Sequence, residues 1–124
     1  MLVDDNPDDS FFHAREIKKV NTENVVIAKN SAMEALEYLK SNKDPHCDLI
    51  FLDINMPGMN GWEFLQEYNL LDKKLQSQAI IIMLTTSDNY DDISKSKRWN
   101  SVTDYITKPL TRGIMEGIVD KYFK

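Results

Sequence analysis

The stretch Leu49-Ile50-Phe51-Leu52-Asp53-Ile54-Asn55-Met56-Pro57-Gly58-Met59-Asn60-Gly61 decides the fold. Leu49 to Leu52 is an unbroken apolar run bounded by turn-formers, the pattern of a strand buried on both faces. It runs straight into a carboxylate, Asp53, and then into a loop holding Pro57, Gly58, Asn60 and Gly61. Open α/β sheets place their ligands beyond the carboxyl ends of the strands, so Asp53 is a candidate functional group. Taken alone, it reads more readily as a strand-terminating residue that caps the next turn.

Working outward, Ala79 to Leu84 is another strand of the doubly buried type, ending in Thr85-Thr86-Ser87. A shorter strand spans Val102 to Thr107 and closes on Lys108-Pro109. On the amino-terminal side, Val25 to Ala28 is a strand, and Met1-Leu2-Val3 is the end of one, leading into Asp4 and Asp5. Helices alternate with these strands. Asn6-Pro7 starts the first, which runs to about Val20 with Asp8 and Asp9 favoured by the dipole of its first turn. Phe12, Ile17 and Val20 are its expected core contacts.

Ser31 to Ser41 is a second helix, with Ser31 and Glu34 at capping-box spacing and Ala32, Ala35, Leu36 and Leu39 on one face. A third, starting near Gly61, carries Trp62, Phe64, Leu65 and Tyr68. Leu71 to Gln78 is polar and carries no element. A fourth helix is expected from about Asn89 to Arg98, and a last one from Thr111 to Tyr122. Strands alternating with helices imply an α/β fold with a doubly wound parallel sheet. The common five-stranded solution has order 2-1-3-4-5, the flavodoxin-like arrangement. That order brings Asp4, Asp5 and Asp53 to adjacent strand ends, with Thr85 and Lys108 beside them.

The bulk properties are those of one globular domain, residues 1–124, with 42% hydrophobic and 28% charged residues. A net charge of −5 without a basic cluster argues against a nucleic-acid surface. The single cysteine, Cys47, excludes an internal disulfide and suits a reducing compartment. No apolar run is long enough for a membrane span, and Met1-Leu2-Val3 lacks the features of a signal peptide. A cytoplasmic protein is expected.

Clustered carboxylates repel one another, and a hard divalent cation removes that repulsion. Mg²⁺ takes oxygen ligands, keeps several waters and commonly bridges carboxylates to a phosphoryl group. A Lys adds positive charge for phosphate oxygens, and a Thr hydroxyl adds a donor. With Leu2-Val3-Asp4-Asp5, the central segment from Leu52 to Gly61, Leu84-Thr85 and Lys108-Pro109 in this order, the chain resembles a receiver domain of the two-component response regulators. It is similar to the single-domain chemotaxis type over essentially its whole length.

The resemblance implies roles residue by residue. Asp53 matches the phospho-acceptor, a carboxylate nucleophile that forms an aspartyl phosphate. Asp5 matches the direct Mg²⁺ ligand, joined by Asp53 and the backbone carbonyl of Asn55, while Asp4 matches the acid that holds the metal through water. Lys108 matches the phosphate-binding Lys, followed by a peptide bond to Pro109 that is usually cis. Thr85 matches the switch hydroxyl and Tyr105 the aromatic that rotates with it. The donor would be a sensor histidine kinase or a histidine phosphotransfer protein. The output would be a changed surface of the fourth helix, fifth strand and last helix, read by a downstream protein, with the chain a monomer or weak dimer. Its only catalysis would be its own phosphorylation and dephosphorylation.

Two features depart from the family pattern. The chain has three residues before the acidic pair, where a longer first strand is usual, and this shortening is expected to cost stability. The interval from Thr85 to Lys108 is about one residue longer than in the chemotaxis type. That residue is expected between Arg98 and Tyr105, because a loop absorbs an insertion more easily than a strand end, and this keeps Thr85 as the switch where an earlier position would favour Thr86.

Other residues read more plainly. His13 is expected on the surface, Cys47 as a small semi-buried residue, and Trp62 and Trp99 as helix-face packing. Asp88, Asp91 and Asp92 read as the acidic start of the fourth helix. Competing functions fit less well. A haloacid-dehalogenase-like phosphatase wants a second Asp two positions after the first, where this chain has Asn55. A flavin carrier would need a phosphate loop in place of Asp4-Asp5-Asn6-Pro7. The remaining alternative is an unphosphorylated interaction module, and the chain could be a stand-alone regulator or a receiver excised from a longer protein.

Overall fold

A computed structural model of the chain describes residues 1–41, 46–76, 79–86, 93–95 and 97–123. The apolar runs form five parallel strands: β1 (Leu2–Val3), β2 (Ala28–Lys29), β3 (Leu49–Leu52), β4 (Ile80–Thr85) and β5 (Val102–Thr107). They pair in the order β2-β1-β3-β4-β5, as the alternation of elements predicts. Helices α1 (Pro7–Val20), α2 (Ala32–Ser41), α3 (Gly61–Asn69), α4 (Lys73–Gln76) and α5 (Arg112–Tyr122) connect or flank them. Residues 93–95 are helical; the rest of the helix expected from Asn89, with Asp88, Asp91 and Asp92, lies outside the described residues. No helix among the described residues is long and apolar enough to cross a membrane.

Strand side chains alternate between faces, and this divides the core in two. Val3, Ile50, Leu52, Ile81 and Met83 pack under α2 and α3, against Ala35, Leu36, Phe64, Leu65 and Tyr68. Leu2, Leu49, Phe51, Ile82 and Leu84 point the other way, onto Ile17 of α1 and Met115 and Ile118 of α5. All four residues of β3 are therefore buried, as a central strand covered on both faces requires. Cys47 is buried where the chain enters β3, and Trp62 and Trp99 are partly buried against the α2/α3 core.

The helix termini follow local chemistry. Asn6 caps α1, its side chain accepting the Asp8 and Asp9 backbone N–H groups. Ser31 caps α2, accepting the Glu34 N–H at 3.2 Å. At α3, Asn60 and Glu63 form a full capping box that the sequence reading did not single out.

Three expectations need correction. The second strand is Ala28–Lys29 rather than Val25 to Ala28, because its ladder partners on β1 are only Leu2 and Val3. Val25 stands exposed. On α1, Phe12 is not a core residue. The inward stripe is Ser10, His13 and Ile17, at i, i+3 and i+7, with Glu16 beside it. The stretch from Leu71 is not elementless, since Asp72 caps α4 by accepting the Lys74 N–H at 3.0 Å.

The register between β4 and β5 shifts once. Ile81 lies opposite Val102 but Ile82 lies opposite Asp104, so Thr103 is an extra residue on β5. Beyond this bulge Met83 faces Tyr105 and Thr85 faces Thr107, which brings Lys108 to the end of β4.

Backbone packing also fixes the loop after Asp53. The Gly61 N–H donates to the Ile54 carbonyl at 2.9 Å, folding the loop back on the strand end. A Cβ on Gly61 would lie 2.6 Å from the Asp53 carbonyl oxygen and 2.9 Å from the Ile54 Cα. Backbone cannot yield as a flexible side chain does. Gly61→Ala is therefore expected to destabilise the fold by about 1–3 kcal/mol in urea unfolding and to shift the amide resonances around Asp53. Gly58→Ala, strained only by its positive φ of 76° with open space around it, is expected to leave those resonances in place. An unperturbed Gly61→Ala would disprove the close approach.

Candidate functional site

Parallel strands end at the same edge of the sheet, so the residues following β1, β3 and β5 meet there. The ladder sets their heights: the Asp53 N–H donates to the Val3 carbonyl at 3.0 Å, and the Asp4 N–H to the Lys29 carbonyl at 3.1 Å. From the other side, the Lys108 N–H donates to the Thr85 carbonyl at 2.8 Å. The Lys108-Pro109 peptide bond is cis. Arg112, at the start of α5, donates its N–H to Glu16 of α1 at 3.2 Å, tying the segment after Lys108 to the helix after Asp5.

Asp4 and Asp53 are buried and Asp5 is exposed, and the three offer carboxylate oxygens within 4.8 Å of one another. Lys108 reaches into this group. Its Nζ lies 2.6 Å from Asp4 Oδ2, 2.9 Å from Asp9 Oδ2 and 3.5 Å from Asp53 Oδ2. The other oxygens are held by backbone: Asn6 N–H donates to Asp4 Oδ1 at 2.9 Å, and Asn55 N–H to Asp53 Oδ1 at 3.3 Å.

Burial pushes the Asp53 carboxyl above the usual range; Lys108 pulls it back, and Asp4 adds to the rise. Burial alone would depress the Lys108 ammonium, but its bonds to Asp4 and Asp9 more than offset that and hold it charged. His13 is shifted down, first by burial and then by the Lys108 charge.

The structure thus brings together Asp4, Asp5, Asp53 and Lys108. Thr85 is fully buried at the end of β4, while Thr86 is exposed. Tyr105 is half-buried and packs on the α2/α3 core, on the sheet face that alternation also assigns to Thr85. Asn55 is exposed, next to the site. The sequence reading missed Asp9, taken only as a dipole partner, and misplaced His13, which is buried rather than on the surface. Both lie on the inward side of α1, and Ser10 and His13 border the same space as Asp4 and Asp53. The helical spacing of Asp9 and His13, i and i+4, was the available signal.

The donor set is all hard oxygen, and Asp5 is open to solvent. It fits a hard divalent cation such as Mg²⁺ better than a softer ion that would want nitrogen or sulfur ligands.

A sequence-family model described as the response regulator receiver domain matches residues 1–120. Protein PilH of Pseudomonas aeruginosa is 30% identical over 111 residues, 89% of this chain and 84% of that protein. Hybrid signal transduction histidine kinase L of Dictyostelium discoideum is 27% identical over the whole chain, which spans only 7% of that protein's length. Among solved structures, a response regulator receiver protein from Dyadobacter fermentans superposes with a TM-score of 0.87 at 25% identity, covering 98% of this chain and 94% of its own.

The raised Asp53 carboxyl has a consequence for stability. An ionised group whose pKa is higher folded than unfolded opposes folding above the folded pKa. The penalty shrinks as pH falls through that value and vanishes below the unfolded one. Without Mg²⁺ at neutral pH, Asp53→Asn is expected to unfold at higher urea than the wild type, with the gap closing on acidification. Added Mg²⁺ should stabilise the wild type and leave Asp53→Asn nearly unchanged. A variant less stable than the wild type at neutral pH would mean that the Lys108 contact outweighs burial and repulsion.

Proposed function

The chain belongs to the response regulator receiver domain family, a phosphorylatable switch of two-component signalling, and on that premise we propose that Asp53 is its phospho-acceptor. The observation that carries this is the placement of Asp53: buried at the end of β3, with an ammonium at 3.5 Å and two further carboxylates clustered around it. The donor is a phosphohistidine on a sensor kinase or a phosphotransfer protein. An Asp53 oxygen attacks the phosphorus, the P–N bond breaks, and the imidazole nitrogen keeps the electron pair and takes up a proton.

Asp5, Asp53 and the Asn55 carbonyl, with Asp4 alongside, would hold a Mg²⁺ ion, whose charge would offset that on the phosphoryl oxygens. Lys108 supplies a second positive charge to the same oxygens, and its desolvated ammonium already lies 3.5 Å from Asp53. Asp4 orients that ammonium. The Asn55 N–H holds one Asp53 oxygen, leaving the other, on the Lys108 side, for attack.

The resulting acyl phosphate draws the Thr85 hydroxyl, and Tyr105 on the same sheet face repacks with it. The surface formed by the helix expected at 89–98, β5 and α5 then changes its affinity for a downstream protein. Residues 1–124 act as one receiver domain in the cytoplasm, as a monomer or weak dimer, without contacting nucleic acid. The output partner of any longer protein would act through this surface.

A small acyl phosphate with Mg²⁺ is expected to add one hydroxylamine-labile phosphoryl group to the wild type and none to Asp53→Asn, read by intact mass. Persistence of the adduct in the variant would place the acceptor elsewhere.

A companion pair tests the switch. Thr85→Ala should still accept the group yet lose the phosphorylation-dependent shift of the Tyr105 resonances, whereas Thr86→Ala should keep it. The reverse pattern would move the switch to Thr86.

A further inference from the structure

Lys108 is an ammonium with three N–H directions, and three carboxylates occupy its surroundings: Asp4, Asp9 and Asp53. Asp53 is the most distant of them. Asp9 is nearer than the acceptor itself, and helix formation does not explain its contact. Asp8, in the same first turn, gives α1 the same dipole benefit from an exposed position.

For Lys108 to bind an incoming phosphoryl oxygen, it must loosen one existing bond. Asp4 is a poor candidate, since its side chain is only 7% exposed and would be left as a buried charge. The Asp9 side chain is 38% exposed, so water can replace the ammonium there at little cost. Asp9 also adds negative charge close to where a phosphoryl dianion must enter.

We propose that Asp9 is a positioning residue that holds the Lys108 ammonium back from Asp53 and is released when a phosphoryl group arrives, thereby setting how readily the site accepts one. This rests on the reading of Asp53 as the acceptor. Asp9 touches neither donor nor acceptor and acts through Lys108 alone.

Asp9→Asn and Asp8→Asn remove the same charge from the same helical turn, but only the first breaks a Lys108 bond. With acetyl phosphate at saturating Mg²⁺, the transfer breaks the donor's anhydride O–P bond, forms the Asp53 O–P bond and releases acetate. The initial rate for Asp9→Asn should exceed that of Asp8→Asn by about two- to fivefold, the weight of a partly exposed ion pair. Half-saturation by beryllofluoride, followed by amide shifts, should fall by a similar factor without any turnover. In a Lys108→Met background the difference between the two variants should disappear, which a merely structural role of Asp9 would not produce. Equal rates for the two variants, or a slower Asp9→Asn, overturn the role of Asp9 while leaving the acceptor intact. A wild type that takes no phosphoryl group on Asp53 overturns the functional reading, and the proposal with it.

Discussion

The Lys108 ammonium holds together carboxylates that would otherwise drive three elements apart. Asp4 follows β1, Asp9 belongs to α1 and Asp53 follows β3, and each approaches the same nitrogen. Like charges at such distances oppose folding, and desolvation makes the opposition stronger for Asp4 and Asp53. A single cation cannot neutralise them all. The site is therefore left with an excess of negative charge that a metal ion can relieve. Functional groups are poised here at a cost to stability, and the layered core around them supplies the compensation.

That core is simple. β3 is buried on both faces, and its neighbours alternate side chains into an α2/α3 layer and an α1/α5 layer. The backbone ladder transmits this order to the site: Val3 positions Asp53, Lys29 positions Asp4, and Thr85 positions Lys108. Gly61 lets α3 begin against the Asp53 carbonyl, at a distance no side chain would allow. The bulge at Thr103 is equally consequential. It shifts the phase of β5 so that Tyr105 shares the face of Met83 and Thr85, and Lys108 the face of Asp53.

Helix α1 departs from a simple amphipathic helix. Its inward side holds Ser10, His13 and Glu16 beside Ile17, and its acidic first turn reaches Lys108 through Asp9. Glu16 accepts the first N–H of α5 and pairs with Lys19 at 2.7 Å, which satisfies a helix terminus that packing alone would leave open. Asp9 and Glu16 thus tie α1 to Lys108 and to the start of α5.

Most of the architecture was legible in the sequence because it depends on local patterns. Doubly buried strands require uninterrupted apolar runs, and Leu49 to Leu52 and Ala79 to Leu84 supply them; their alternation with helices leaves few topologies. Asp4, Asp5, Asp53 and Lys108 were legible for the same reason, as residues just past strand ends. What depended on partners distant in the chain was not legible. Whether Val25 extends β2 is decided by which β1 residues lie alongside. Whether His13 faces solvent or Asp9 faces a lysine is decided by how α1 rotates onto the sheet, and a helix of mixed polarity does not announce that angle. Thr103 lies within the interval from Arg98 to Tyr105 in which the sequence placed an extra residue, but which residue of that interval bulges is a property of the β4–β5 ladder. Periodicity determines which elements form, while the pairing of their surfaces determines which charges meet, because Coulombic and hydrogen-bonding contacts act over distances that only the folded chain defines.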